Sequence, residues 1–599
     1  MWPSRMHGDR MIINKGAIPV SKYLLFISCC LSICASLAVQ AGGFLKADGQ
    51  YIVNQQGEKV VLRGMGLGGW MLQEGYMLKL NEVGQQHRIQ QKIEDLIGAD
   101  ATKEFYNAWR ANHTTKADID AMASWGFNSV RLPMHFNLYT LPIEKESVKG
   151  KQTWLKEGFE MTDALLAWCK ANNMYLILDL HATPGGQGND LAISDRDPAK
   201  PSLWDSKANQ QKMIALWRKL AERYANEPMI AAYDIINEPN WGFESVDDKN
   251  GCKEKTNKPL RDLMVNITKA IREVDNKHIV IAEGNCWGNN YQGIMPTWDN
   301  NLVLSFHKYW NNNTDAEIGG ILKLRSENNI PVWLGESGEN SNLWFADAIR
   351  LVESHGIGWA FWPLKKIGFN NPLQIQPNDD YAQVLNYFKG QGERPAKEVA
   401  TKALLQLAQH DIRFENNLYH PDVIDAMFRQ PYSNTSVPFA TNTIAKNGGT
   451  VKAVHYDMGT NSYFDKDSAN YYISTGGERQ PWNRGNVYRN DGVDIYADKT
   501  APEQYVIGNI EAGEWQEYTI VAEQTGKYNL SILLAGDEKS ASVEIALNNT
   551  LLGATNVAVE KDWKEQTLLS VNLQQGANKL RVKHLSGHYQ FSALKFSAD

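Results

Sequence analysis

The segment IAAYDIINEP, residues 230–239, decides the fold. Its front half is almost continuously apolar, with no alternation of polar and apolar positions. That is the pattern of a strand covered on both faces, as in a parallel sheet. It then breaks abruptly into Asn237, Glu238 and Pro239. Working outward, seven more runs have the same character: VVLRG (60–64), FNSVRLP (127–133), MYLILDLH (174–181), HIVIAEG (278–284), LVLSFHKY (302–309), IPVWLGE (330–336) and IGWAFW (357–362). Helical spacing of apolar residues fills the gaps, as in 158–173, 209–225 and 257–274. Eight buried strands alternating with helices give the α/β class and a (β/α)8 TIM barrel. An open doubly wound sheet is the alternative. It fits less well because no glycine-rich phosphate loop follows the first run and polar residues recur at the strand ends.

The barrel is expected over 42–432, its last part (391–432) being a helical tail packed on the outside. Residues 433–449 (SNTSVPFATNTIAKNGG) are rich in Ser, Thr, Asn and Gly and read as a linker. Beyond it the periodicity changes to short alternating runs: 516–523, 527–535, 542–548, 578–585 and 589–596. These predict a C-terminal all-β sandwich over 450–599.

With 599 residues, 43% hydrophobic and 22% charged, the chain supports a large core in more than one domain and is not disordered. Lys plus Arg is 61 against 68 Asp plus Glu, a balance that excludes a nucleic-acid partner needing a basic face. Arg5, Arg10, Lys15 and Lys22 precede the apolar run Tyr23 to Val39, and Val39 and Ala41 suit the −3 and −1 positions of a cleavage site. Residues 1–41 therefore read as a signal peptide of a secreted protein with no membrane span after its removal; a retained anchor and a lipoprotein signal are the alternatives. Cys29, Cys30 and Cys34 fall within it. Of the rest, Cys169 lies in an apolar helical stretch and reads as core, while a bridge between Cys252 and Cys286 is open.

Catalytic groups of such barrels sit at the C-terminal ends of different strands. Those positions here are Arg131, His181, Asn237 with Glu238, His307 with Tyr309, Glu336, and Trp362. Two Glu facing each other about 5 Å apart suit hydrolysis of a glycosidic bond by double displacement. One carboxylate must stay ionised, for which Arg131 and Tyr309 are at hand; the other must hold a proton, which the nearby negative charge favours.

An Arg, a His, an Asn-Glu pair, a His with a Tyr two residues on, a second Glu and a Trp, each at a successive strand end, resemble glycoside hydrolase family 5, the retaining β-glycanases. The resemblance covers residues 44–390. It implies Glu238 as acid/base and Glu336 as nucleophile. It implies that Asn237 holds the sugar 2-hydroxyl, that His181, His307 and Tyr309 orient the site, and that Trp362 lies under the sugar at subsite −1. No cofactor or metal is implied. The loop His181-Ala182-Thr183-Pro184-Gly185-Gly186-Gln187 is similar to the HxxPG(S/G)Q segment of members acting on β-1,3-glucan, and it favours a β-glucan with β-1,3 or β-1,4 bonds as partner and substrate. A β-mannan, a glycosphingolipid, or a non-catalytic sugar-binding surface role are the alternatives. Trp70, Trp287, Trp298 and Trp310 are expected near the mouth, more as packing than as sugar platforms. A monomer is expected.

Residues 447–599 resemble carbohydrate-binding module family 6 through Tyr488-Arg489, Val493-Asp494-Ile495, Gly513-Glu514-Trp515 with Tyr518, and Gly526-Lys527-Tyr528. The resemblance places Trp515 in the core and Trp563 in a loop as a sugar-stacking ring. Asn509 stands where the family often has a second aromatic, Gln590 where it has an Asn, and Lys452 and Val454 where it has two Glu beside a structural calcium.

Overall fold

A computed structural model describes residues 43–466, 482–501 and 504–598. The signal expected over 1–41 lies outside these residues. Eight parallel strands close into a barrel: β1 (Arg63–Gly66), β2 (Ser129–His135), β3 (Tyr175–Ala182), β4 (Ile230–Asp234), β5 (Ile279–Glu283), β6 (Leu302–Lys308), β7 (Val332–Gly338) and β8 (Trp359–Trp362). They run round the cylinder in chain order, and β8 pairs with both β7 and β1. Each apolar run supplies one strand, and every residue of β2, β3 and β4 is buried. The first run is displaced: β1 begins only at Arg63, because Val60 donates its N–H to Ile52 O in a small hairpin before the barrel.

The helices form where apolar residues recur on one face. In Lys258–Arg272 the large buried residues include Leu260, Leu263, Met264, Ile267 and Ile271, spaced by three and four. Two further helices, Gln86–Ile97 and Ala99–Asn112, follow β1 in addition to the alternation. They pack with the tail helices Asp379–Phe388 and Lys397–Gln406 around Ile93, Phe105, Trp109, Val384 and Leu404, an apolar cluster separate from the barrel core.

The C-terminal region is a sandwich of two sheets. One orders Asn442–Ile444, Trp515–Ala522, Gly576–Ser586, Ser540–Leu547 and Thr550–Ala558. The other orders Ile495–Ala497, Tyr505–Ile507, Gln590–Ala598, Gly526–Ala535 and Lys564–Leu573. Thr550–Ala558 has no clear apolar alternation because it is an edge strand with most side chains exposed.

Two sequence expectations are corrected. The linker is shorter than 433–449: Asn442–Ile444 is a strand parallel to Trp515–Ala522, and Gly448–Lys452 pairs with Gln590–Ala598. Burying Ile444 in the sandwich outweighs the flexible composition around it. Nor is the remaining linker a free tether, since Val437 and Met458 exchange backbone hydrogen bonds and Asn461 donates to Asn434 O. Trp515 is not core: it is half-exposed, with the Arg581 guanidinium 4.1 Å above its ring. Cys169 is buried as read, and Cys252 and Cys286 form a disulfide.

Just past β8, Lys365 Nζ lies 2.5 Å from Asp118 of the helix Lys116–Trp125, and both side chains are fully buried. Lys365→Met leaves the Asp118 carboxylate without its cation, so urea unfolding is expected to show a loss of about 3–5 kcal/mol.

Candidate active site

The barrel interior at the C-terminal ends of the strands is charged. Alternation along β2 and β3 turns Arg131 and Asp179 to the same interior. The Arg131 guanidinium, wholly buried, donates Nη1 to Glu336 Oε2 at 2.7 Å, Nη2 to Asn237 Oδ1 at 2.8 Å, and both Nε and Nη2 to Asp234 Oδ2 at 3.1 and 2.9 Å. Asp179 and Glu283 approach Nη2 at 3.3 Å. One planar cation thus ties together groups from β2, β3, β4, β5 and β7. Its fork geometry, with five donors, makes this set of bonds available to Arg and not to Lys.

Glu238 and Glu336 meet above this layer. One carboxylate oxygen of each and a ring nitrogen of His307 all lie within 4.8 Å of one another. Glu238 has a left-handed backbone, φ 43°, unusual for a residue with a side chain, and its N–H donates to Glu283 Oε2 at 2.7 Å. His307 Nδ1 bonds Glu238 Oε1 at 2.6 Å, and its Nε2 faces Glu283 at 3.3 Å. Tyr309 donates its hydroxyl to Glu336 Oε1 at 2.8 Å. The environments of the two Glu diverge. Burial, then the Glu336 charge, raises the Glu238 carboxyl above the usual carboxylate range and outweighs its bond to His307. Burial also works to raise Glu336, but His307 and Arg131 together prevail and hold it below that range. Burial lowers His307, yet Glu283 and Glu336 hold the imidazole well above its ordinary value. The cluster of Glu238, His307 and Glu336 has metal-like spacing, but the Arg131 cation already faces Glu336 and His307 Nδ1 is already bonded to Glu238.

The other expected residues border the same cleft, an opening of about 760 Å³. His181 bonds Asp179 through Nδ1 at 2.7 Å and accepts at Nε2 from Asn237 Nδ2 at 3.3 Å. Its ring lies parallel to Trp362, 4.9 Å between centroids. Gly66 and Gly68 make room for Trp362: a Cβ on either would come within 2.4 and 2.7 Å of the indole. Gln187 donates Nε2 to the carbonyls of both His181 and Asn237, at 2.7 and 2.8 Å, fixing the loop after β3 against the end of β4. All eight strand-end residues therefore come together. Of the four further Trp, Trp287 and Trp310 line the cleft, Trp70 is buried elsewhere, and Trp298 packs on the core and bonds Thr268.

Sequence reasoning missed several groups. Glu283 ends β5 and obeys the strand-end rule, so its signal was present in HIVIAEG. Glu74 and Tyr76 follow β1 in a loop and line the cleft. Burial, then the charge of Glu336, keeps the Glu74 carboxyl well above its usual value. Asp190, whose carboxylate accepts from Trp287, and Glu339 lie on long loops with no pattern to mark them.

In the sandwich, Trp563 is half-exposed and bonds Asp498. Asn509 is occupied internally, donating to Asp494 and to the Tyr496 hydroxyl at 3.0 and 2.6 Å.

A parallel eight-stranded barrel with paired Glu at its carboxyl end, joined to a β-sandwich, defines a glycoside hydrolase with an appended carbohydrate-binding domain. Residues 70–367 match the cellulase model of glycosyl hydrolase family 5, and residues 486–597 match the carbohydrate binding module of family 6. The barrel belongs to glycosyl hydrolase family 5, and the sandwich is a family 6 carbohydrate binding module. Among curated proteins, a beta-xylosidase of Phanerodontia chrysosporium is 24% identical over 390 residues, covering 59% of this chain and 77% of the relative. Endoglucanase C of Acetivibrio thermocellus is 24% identical over 317 residues, 43% of this chain and 85% of the relative. A probable glucan 1,3-beta-glucosidase A of Aspergillus clavatus is 27% identical over 264 residues, 42% of this chain and 59% of the relative.

Because the charge of Glu336 helps keep Glu238 protonated, Glu336→Gln is expected to move the Glu238 titration to lower pH. Carboxyl ¹³C NMR across the acidic range measures this; an unmoved Glu238 resonance contradicts the coupling.

Proposed function

We propose that this protein is a secreted, retaining hydrolase of β-glucosidic bonds in a β-glucan, with β-1,3 or β-1,4 linkages. The observation that carries the reading is the closeness of the Glu238 and Glu336 oxygens, within 4.8 Å, combined with opposite displacement of their proton affinities. A pair about 5–5.5 Å apart leaves no room for a water between carboxylate and sugar, which favours a covalent intermediate over direct inversion.

Glu336, ionised beside Arg131 and Tyr309, attacks the anomeric carbon as the glycosidic bond breaks. Glu238 gives its proton to the departing oxygen. A water then enters, loses a proton to Glu238 and attacks the same carbon, so that the bond to Glu336 breaks and both carboxyl groups return to their starting states. His307 steadies Glu238 through their 2.6 Å bond. Asn237, anchored by Arg131, presents its amide beside Glu336 for the sugar 2-hydroxyl. Trp362 offers an apolar face to the pyranose ring. The relatives named endoglucanase and glucan 1,3-beta-glucosidase support a β-glucan, as does the loop held by Gln187. The Cys252–Cys286 disulfide agrees with passage through an oxidising compartment. The sandwich, with Trp563 outward, is the glycan-holding partner of the barrel.

Reducing-end release from laminarin, lichenan, carboxymethylcellulose, xylan and mannan tests the substrate. Activity is expected on the glucans, and its absence from all of them refutes the reading. Glu336→Gln is expected to abolish turnover on every substrate. Glu238→Gln is expected to lose about 10²–10⁴-fold on polymer but far less on a nitrophenyl glucoside, whose leaving group needs little protonation. The kcat/KM profile should be bell-shaped, falling in acid as Glu336 gains a proton and falling again, above the ordinary carboxylate range, as Glu238 loses its own. Amino-terminal sequencing of exported protein is expected to begin after Ala41.

A further inference from the structure

Trp310 follows β6 at a left-handed backbone position, φ 54°, and lines the catalytic cleft. A bulky side chain holds such a conformation only where its surroundings fix it. Part of that support comes from beyond the barrel. The ring of Trp482, which lies in the sequence between the sandwich strands Gly448–Lys452 and Ile495–Ala497, stacks on Trp310 with centroids 6.2 Å apart and planes inclined by 29°. Trp482 in turn donates Nε1 to Asn490 Oδ1 at 2.9 Å.

Asn490 is wholly buried and uses every polar group it has. Its N–H donates to Asp422 at 2.7 Å, and its carbonyl accepts from the N–H of Asn342 at 2.8 Å. Its side-chain amide donates to Asn340 O at 2.8 Å and to Asn342 Oδ1 at 3.0 Å. Asn340 lies in the short turn after β7 and Asn342 opens the helix Asn342–Ser354 that follows, both within six residues of Glu336. The loop bearing Trp310 is locked to the same place: Trp344 Nε1 donates to Asn311 O at 2.9 Å, and Asn313 donates back to Trp344 O at 3.1 Å. A module whose task was only to tether the enzyme to a polymer through a flexible linker would need none of the bonds that Asn490 makes to the barrel.

We propose that the sandwich domain completes the substrate cleft of the barrel: Trp482, fixed by Asn490, is a positioning residue that backs Trp310, and Trp310 is a stacking platform for a glycan unit beyond the bond being cut. This rests on the reading of the barrel as a β-glucan hydrolase. One face of the Trp310 indole is taken by Trp482, and the cleft is bordered by the residue itself, so the ring is held ready for a pyranose at little cost in ordering. The second domain then acts on soluble oligosaccharides as well as on insoluble polymer.

The test compares kcat and KM of the full chain on soluble gluco-oligosaccharides of increasing length and on nitrophenyl β-glucoside. Trp482→Ala is expected to raise KM for the longer oligosaccharides by about tenfold, with kcat and the nitrophenyl glucoside values within about twofold of wild type. Trp310→Ala is expected to raise KM for the longer oligosaccharides at least as much, the double variant to be no worse than Trp310→Ala, and Trp482→Phe to restore KM. Circular dichroism and urea midpoints confirm folding. If Trp482→Ala does not fold, Trp482→Phe and Trp482→Leu decide, Leu alone being expected to raise KM. An unchanged KM in a folded Trp482→Ala, or equal KM for Phe and Leu, overturns the proposal while the hydrolase reading stands. Wild-type protein that cleaves no glucan overturns both.

Discussion

A single buried guanidinium organises the catalytic end of the barrel. Arg131 stands at the junction of five strands, and its planar donors reach Glu336, Asn237 and Asp234 directly, with Asp179 and Glu283 close by. A buried carboxylate is costly unless a charge or hydrogen bonds compensate it. Here the compensation is shared unequally. Glu336 has the guanidinium, the Tyr309 hydroxyl and the field of a cationic His307, and burial loses. Glu238 has one bond to His307, set against burial and the charge of its neighbour, and burial wins. Asp234 shows the same competition: burial, then Glu283, pushes it well above its usual value in spite of its bonds to Arg131. Two identical side chains thus acquire opposite protonation preferences from position alone, which is the condition a double displacement asks for.

The layer beneath the cleft also explains how loops of irregular sequence are placed. Glu283 takes the backbone N–H of Glu238, so the left-handed turn at that residue is paid back in a short charge-assisted bond. Gln187 fixes the loop after β3 by donating its amide to the His181 and Asn237 carbonyls, and the Cys252–Cys286 disulfide joins the loops after β4 and β5, where Trp287 borders the opening. The sandwich continues this scheme rather than hanging apart from it, since Asn490 inserts into the loop after β7 with no polar group left over. Both domains therefore bear on the geometry within a few residues of Glu336.

Much of the architecture was legible because parallel strands announce themselves. A run such as MYLILDLH can hide all its residues only where both faces are covered, here by helices outside and the barrel interior inside, and its length and abrupt polar end mark both the strand and its catalytic edge. The same rule reached Arg131, His181, Asn237, Glu238, His307, Tyr309, Glu336 and Trp362, which all border one site. It was applied incompletely to Glu283, whose run ends as plainly as the others. It had no purchase on Glu74, Asp190 or Glu339, because loop residues carry no periodicity. In the sandwich the edge strand Thr550–Ala558 escaped because exposed edges need no apolar face, and Trp515 was misplaced because a partly exposed ring can be covered by a guanidinium, here that of Arg581, instead of by core side chains.

The sequence by itself determined the two folds, their order and the strand-end residues, since burial patterns are local and repeat with the geometry of strand and helix. Only the tertiary structure decided the distance between Glu238 and Glu336, which of them keeps a proton, and that the second domain is docked at the cleft. Those properties arise from Coulomb fields, desolvation and hydrogen bonds between residues tens to hundreds of positions apart, and no local pattern in the chain encodes them.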